Sequence, residues 1–494
     1  MFFSDPVSIL LLVLFCGLLV KLFQGSKQSP THNYPPGPKP LPIIGNMHLL
    51  NMNRPYKSLM ELAKKYGSIF SIQIGSQKFV ILCGYEMVKE ALVKHSEDFW
   101  ERPHIPIFEE TTKGYGILFA HGESWKAMRH FIRSTIRDLA MERKTIENKI
   151  SEECEFLVKK IKSYSGEPFE NTMLMNAATS NLIVSIVLGH RFNYEDPVFL
   201  TLMPLMNESI RLSGSPMVML YNTFHSVMRW FPGSHETVKK NTKEFCQFLE
   251  EFLTKYKNRV DLNDQRNLID AFLAKQQENK EKTANYFHNG NLTFLILHLL
   301  AAGMETTSTT LRWGLLLMMK YPEIQKNIQN EIETVIGSAV PQMDHRKEMP
   351  YTDAVLHEIQ RFANIIPLNL PYAMTQDVTL KGYVIPKGTY VIPLLSSVLR
   401  DEIHFEKPNE FNPNHFLDSN GRFMKKEAFL PFSAGKRNCA GENLAKMELF
   451  LFFTTLLQNF TFQSPPGAEL DLTPAVGFTA PPICHEICAE PRTF

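Results

Sequence analysis

The sequence predicts a mainly α-helical protein with a small β-rich subdomain, preceded by a single N-terminal transmembrane helix. Apolar residues between about 124 and 330 recur with a spacing near 3.6, the helical period. Strand signals are short and confined to two patches and the tail. An unbroken apolar run occupies residues 6–23.

That run, PVSILLLVLFCGLLVKLF, carries one charge, Lys21. At about 1.5 Å per residue it spans roughly 27 Å, close to the ~30 Å hydrocarbon core of a bilayer. A cleaved signal peptide needs a basic leader and a small-residue cleavage site. Here Asp5 is the charged side chain before the run, and Lys21, Lys27 and Lys39 come at or after its end. The run is read as an anchor, and the positive-inside rule keeps the rest of the chain cytosolic. Residues 24–46, polar and then proline-rich, read as a stiff hinge.

Residues 47–494 read as one catalytic domain, because no low-complexity linker interrupts them. Within it, 68–74 and 79–82 flank Gly75-Ser76-Gln77-Lys78 as a β-hairpin, and a helical pattern follows at 85–95. Pro386-Lys387-Gly388 is turn chemistry between two short strands of a second β patch at 378–395. The polar stretch 257–290 reads as a surface loop, and 460–494 as strand and loop.

The charges nearly cancel, 52 Lys+Arg against 51 Asp+Glu, which excludes a global basic field for nucleic acid. Seven scattered cysteines do not make a disulfide framework and fit a reducing compartment. Cys484-His485 and Cys488 lack a fourth metal ligand and read as structural. No G-x-G-x-x-G follows a strand, so the chain is not expected to bind a dinucleotide through such a loop of its own.

The strongest chemical signal is Phe432-Ser433-Ala434-Gly435-Lys436-Arg437-Asn438-Cys439-Ala440-Gly441, followed by an apolar helical pattern. Glycines on both sides of the cysteine permit a tight turn and close approach to a flat cofactor. A cysteine before a helix N-terminus gains from the dipole, which favours thiolate. This pattern, F-x-x-G-x-x-x-C-x-G, resembles the haem-binding loop of the cytochrome P450 superfamily. The other signatures of that superfamily occur in order along nearly the whole chain, and the likeness is to the vertebrate microsomal family 2 enzymes, which oxidise drugs, steroids and fatty acids.

The resemblance implies a cytochrome P450 fold and haem b, with Cys439 as the axial ligand of the iron. It places Phe432, Gly435 and Gly441 around the cofactor. Ala302-Gly303-Met304-Glu305-Thr306-Thr307 resembles the oxygen-helix segment, in which Thr306 bonds dioxygen and Glu305 relays protons. A glycine and hydroxyls in a buried helix are expected to loosen its hydrogen-bond ladder there. Trp125 and Arg129, one helical turn apart, would meet the haem carboxylates together with Arg102 and Arg437. Tyr372 stands where close relatives commonly carry histidine. Glu358 and Arg361 resemble a buried structural pair whose third member is usually arginine; here that position is His415.

Pocket positions by the same resemblance are Phe108, Phe119, Ala302, Ile366, Leu370, Val476 and Phe478, all apolar and suited to a lipophilic substrate. Lys126, His130, Arg133 and Arg137 recur on one helix face and, with Lys436, would form a docking face for an acidic redox partner. The resemblance implies NADPH–cytochrome P450 reductase as that partner, with cytochrome b5 as a second, and the endoplasmic reticulum membrane as the location. A haem-thiolate isomerase that needs no reductase is the alternative enzyme, and such relatives often lose the threonine that Thr306 supplies here. A membrane-tethered haem binder without catalysis is the third reading, which NADPH consumption in the presence of reductase and substrate would exclude.

Overall fold

The computed structural model describes residues 33–141, 143–258, 267–278 and 286–493. No helix among the described residues is long and apolar enough to cross a membrane, and the apolar run at 6–23 lies outside them. Described contacts divide the chain into two compact units, one made of residues up to 103 with 370–394, the other of 104–369 with the remainder from 395.

The first unit is built on a sheet. Strands β1 (Ile69–Ile74) and β2 (Gln77–Leu82) form the expected antiparallel hairpin, with Ile74 opposite Gln77, so the turn is the two residues Gly75-Ser76. The second β patch departs from the sequence reading. Strands β5 (Val378–Leu380) and β6 (Tyr383–Ile385) pair with each other around Lys381-Gly382. Past Pro386-Lys387-Gly388, β7 (Tyr390–Pro393) leaves them, runs parallel to β2 and pairs on its other side with β4 (Tyr372–Ala373). The proline turn therefore separates two sheets instead of joining neighbours. The described part of the hinge is fastened to β1: Ser71 donates its backbone N–H to the Pro36 carbonyl at 2.7 Å, and buried Asn46 accepts from the Gln73 N–H at 2.8 Å. Helices α1 (Pro55–Tyr66) and α2 (Tyr85–Lys89), the latter running into a π turn at Glu90–Lys94, complete this unit.

The second unit is helical. Its helices in order are α3 (Pro106–Thr112), α4 (Gly122–Met141), α5 (Arg143–Lys162), α6 (Thr172–Leu188), α7 (Pro197–Ser213), α8 (Pro216–Thr223), α9 (His225–Met228), α10 (Ser234–Lys257) and α11 (Leu268–Glu278). They continue with α12 (Asn289–Lys320), α13 (Pro322–Val335), α14 (Pro350–Ala363), α15 (Leu395–Leu399) and α16 (Glu442–Asn459). Within the polar stretch 257–290 the structure places a helix, α11, whose Leu268, Ile269, Phe272 and Leu273 are buried. Prolines start many of these helices at N1, where a missing N–H costs nothing. Asp196 caps α7 by accepting the N–H groups of Val198 and Phe199. Strands β3 (Phe169–Glu170), β8 (Phe460–Gln463) and β9 (Glu486–Pro491) form a small sheet in the order β3-β9-β8.

Helix α12 is apolar nearly all round and runs through both large apolar clusters of the unit. It stops at Lys320 because Pro322 follows and disfavours helix at the residue before it. Near its end the buried Trp313 indole donates to the Ala480 carbonyl at 2.9 Å, tying the C-terminal segment to the helix.

Candidate active site

The cysteine loop is fixed by its own backbone. Ser433 and Gly435 take positive φ, the Cys439 N–H donates to the Phe432 carbonyl at 3.0 Å, and Asn369 donates to the Ser433 hydroxyl at 2.9 Å. Gly441 is the N-cap of α16, so Cys439 precedes that helix N-terminus as its position in sequence implies. A Cβ added to Gly441 would meet nothing within 4 Å, so its bareness leaves open space beside the loop. Cys439 itself is solvent-exposed, yet burial among surrounding protein raises its thiol pKa. Together these mean that the sulfur faces a recess inside the unit. The bond from the Gly441 backbone and the Arg129 charge oppose the rise. Burial thus works against the thiolate that the dipole favours, and a metal bound through the sulfur would favour it.

Helix α12 lies against the same loop: Ala440 packs on the apolar cluster that holds Leu300, Ala301 and Met304. On this mostly buried helix, Ala302, Gly303 and Thr306 are only half-buried, and Ala302 and Gly303 lie four and three residues before Thr306, on its side of the helix. The Thr306 hydroxyl donates to the Ala302 carbonyl at 2.7 Å. The Met304 carbonyl accepts a further bond from the Thr179 hydroxyl of α6 at 3.1 Å. Gly303 serves packing as much as loosening, since a Cβ there would stand 2.6 Å from the Ile183 side chain of α6. Glu305 points elsewhere than the half-open face: it is buried, and its Oε1 accepts from Thr479 at 2.5 Å and Thr309 at 3.2 Å. Burial raises its pKa, with the Thr479 bond and the Arg312 charge acting against it.

Trp125, Arg129 and Arg437 come together. The Arg437 guanidinium sits 3.8 Å and that of Arg129 5.6 Å from the Trp125 ring centre, and all three side chains are buried. Arg437 also donates to the Ala120 carbonyl at 2.7 Å, and Arg129 to the Asn438 side chain at 2.5 Å. Arg102 and Tyr372 meet within the first unit, with the guanidinium 4.5 Å over the phenol ring. Arg102 donates to the Leu370 and Pro371 carbonyls, while its buried Nε has no acceptor among the described residues. In the second unit the buried guanidinium groups of Arg129 and Arg437 suit an anionic cofactor, and the recess at Cys439 suits its metal. The residues present fit haem.

Phe108 stacks on Phe119 at 4.0 Å and meets Phe478 edge-on at 6.2 Å, so three of the expected pocket residues form one aromatic wall. Ile366 and Val476 are half-buried in the same unit, and Leu370 in the other. Lys126, His130, Arg133 and Arg137 are exposed along α4, on the face opposite buried Met128 and Ile132. Glu123 bonds Lys126 at 2.7 Å and takes up part of that charge.

The Glu358–Arg361 pair is fully buried and bidentate, with both bonds at 2.7 Å. His415 completes it: Nδ1 lies 3.1 Å from Glu358 Oε2 and Nε2 2.5 Å from the Glu406 carbonyl oxygen. Histidine thus fills the place of the expected arginine. Cys484, His485 and Cys488 form no ligand set, for Cys488 is buried while Cys484 is exposed and His485 bonds the Ile483 carbonyl. Sequence reasoning missed Asn438, Thr479, His298 and Gly214. His298 accepts the Ile117 N–H at 3.1 Å, and burial pushes its pKa down to about 4. Nothing in the local pattern marks them, because each acts on a residue far away in sequence.

A cysteine loop at a helix N-terminus, a threonine on a half-open helix face and buried cations for an anionic cofactor define a haem-thiolate enzyme. The sequence model of the family Cytochrome P450 matches residues 35–489. Cytochrome P450 2K1 of Oncorhynchus mykiss is 46% identical over 99% of this chain and 98% of its own length. Cytochrome P450 2K6 of Danio rerio is 48% identical over 92% and 90%, and cytochrome P450 2B4 of Oryctolagus cuniculus 44% over 94% and 95%. The chain belongs to the cytochrome P450 family, and these three relatives are family 2 members. It is a P450 monooxygenase, an oxidoreductase with a haem cofactor.

Proposed function

We propose that the protein hydroxylates a lipophilic small molecule, a xenobiotic, fatty acid or steroid, with electrons from NADPH–cytochrome P450 reductase and, as a second donor, cytochrome b5. The observation that carries this reading is the aromatic wall of Phe108, Phe119 and Phe478, which offers apolar contact and no charged anchor among those side chains. Haem b, held through Cys439 and by Trp125, Arg129 and Arg437, with Arg102 and Tyr372 assigned by family pattern, supplies the activation of dioxygen. The chain's own residues bind, orient and move protons. Thr306 Oγ1 donates to Ala302 at rest and offers its lone pairs to the half-open face of α12. Glu305, whose pKa burial raises, accepts from Thr479 and Thr309 at a buried carboxyl and is the group we assign to proton relay.

The exposed basic stripe of α4, with Lys436, is the face we assign to the acidic redox partner. The apolar run at 6–23 is assigned as the anchor in the endoplasmic reticulum membrane, with the catalytic part cytosolic. The test is reconstitution with purified reductase, NADPH and lipophilic probes. NADPH-dependent hydroxylated product is expected. An intact carbon monoxide spectrum without any NADPH-dependent product would overturn the reading. Cys439→Ala is expected to abolish the thiolate-type carbon monoxide band; a full-strength band in that variant removes Cys439 from the iron.

A further inference from the structure

We propose that His104, Glu109 and His121 form a binding site for a divalent transition-metal ion of the zinc class, separate from the haem site. The three residues come from different places around α3. His104 precedes the helix, Glu109 lies within it, and His121 stands just before α4. One ligand atom from each converges, all lying within 4.8 Å of one another. His104 Nδ1 is 2.9 Å and His121 Nε2 3.0 Å from the same oxygen, Glu109 Oε1. The two imidazole rings stack with centres 4.3 Å apart.

Two imidazole nitrogens and one carboxylate oxygen are a donor set that zinc and its neighbours in the first transition row prefer. Calcium and magnesium take oxygen ligands and are not expected here. Metal–ligand bonds of about 2.0–2.2 Å put neighbouring ligand atoms roughly 3.3 Å apart in a tetrahedron. The two nitrogen–oxygen distances of 2.9 and 3.0 Å need lengthen only slightly to reach that spacing, the three ligand atoms already lie within 4.8 Å of one another, and the His104 side chain is exposed. The exposed side of the cluster leaves room for water as the remaining ligand. Without metal, the same groups make a hydrogen-bonded cluster, and surface clusters of that kind contribute little stability.

The site has a mechanical consequence. A bound ion would join α3 to the start of α4 across residues 113–120. Helix α3 carries Phe108 of the aromatic wall, and the segment it closes carries Phe119. Glu110, next to Glu109, already fastens α3 to Tyr221 at 2.7 Å and to Lys239 at 2.7 Å. Metal binding would pin the other face of the same short helix.

The test uses the haem-loaded full chain. Zinc is titrated against a chromophoric chelator for the parent and for His104→Ala, Glu109→Gln and His121→Ala, with hydrogen exchange of residues 104–121 followed with and without zinc. One zinc equivalent is expected in the parent, weakened at least tenfold in each variant, since loss of even an outer-shell partner weakens metal sites by about 10–100-fold. Zinc should slow exchange in this segment in the parent alone. Equal affinity and stoichiometry in parent and variants, or no zinc bound by the parent, would overturn the proposal. An unchanged carbon monoxide spectrum shows that each variant is folded, and His104, being exposed, supplies the variant least able to disturb the fold.

Discussion

Replacing His415 by alanine removes two hydrogen bonds from the centre of a buried network. One is made to the wholly buried Glu358 carboxyl, which is paired with Arg361, and a bond to such a charged pair is worth about 1.5–3 kcal/mol. The other is made to the Glu406 carbonyl and contributes about 0.5–1.5 kcal/mol. Arg361 still holds both oxygens of Glu358, and the Asn412 N–H still donates to Oε1 at 2.8 Å, so the carboxylate is not orphaned. The expected loss is therefore about 2–4.5 kcal/mol, toward the lower side of the ~3–5 kcal/mol for stranding a buried charge. In a cooperative unit of several hundred residues, an unfolding entropy of about 2.1 cal/mol/K per residue makes each kcal/mol worth only about 1–2 °C. The midpoint for loss of the haem-thiolate carbon monoxide band should fall by about 3–6 °C at a fixed scan rate. His415→Arg, whose guanidinium donates to carboxylate and carbonyl together, should recover at least half of that fall. An unchanged midpoint in His415→Ala, or a lower one in His415→Arg than in His415→Ala, refutes the assignment.

Burial pushes the Glu448 carboxyl up to about 8, against a bond from Thr307. Its contribution to stability is complete below its unfolded pKa and is lost as pH rises through about 8, so Glu448→Gln should gain on the parent by about 1.4 kcal/mol per pH unit between about 5 and 8. Calorimetric midpoints that run parallel over that range would rule this out. Gly214 ends α7 where a Cβ would lie 2.0 Å from the Gly477 backbone, beside Phe478. Gly214→Ala should destabilise by about 1–3 kcal/mol and raise KM for lipophilic probes, and unaltered kinetics would show that the two segments part freely. Thr306→Ala should raise peroxide release relative to hydroxylated product in the reconstituted system; unchanged coupling removes Thr306 from proton delivery.

The chain's periodicities fixed what lies on one element. The spacing of Lys126, His130, Arg133 and Arg137 placed them on one exposed face of α4, and the spacing of Glu358 and Arg361 placed both on one face of α14. The β1–β2 hairpin was readable because its strands and turn are contiguous. The order of residues around Cys439 identified the haem loop, since backbone turn, sulfur and helix start are all local. Pairings between distant segments leave no period in the sequence, and those came from the tertiary structure. It alone sent β7 to pair with β2 across a gap of more than three hundred residues, set Gly303 against Ile183, and gave Glu305 to Thr479. It supplied His415 as the third member of a network where the resemblance expected arginine, because donor geometry, not residue type, satisfies a buried carboxylate. It also gathered His104, Glu109 and His121, whose sequence spacing follows no helical or strand period and whose side chains meet only because α3 folds back toward the start of α4.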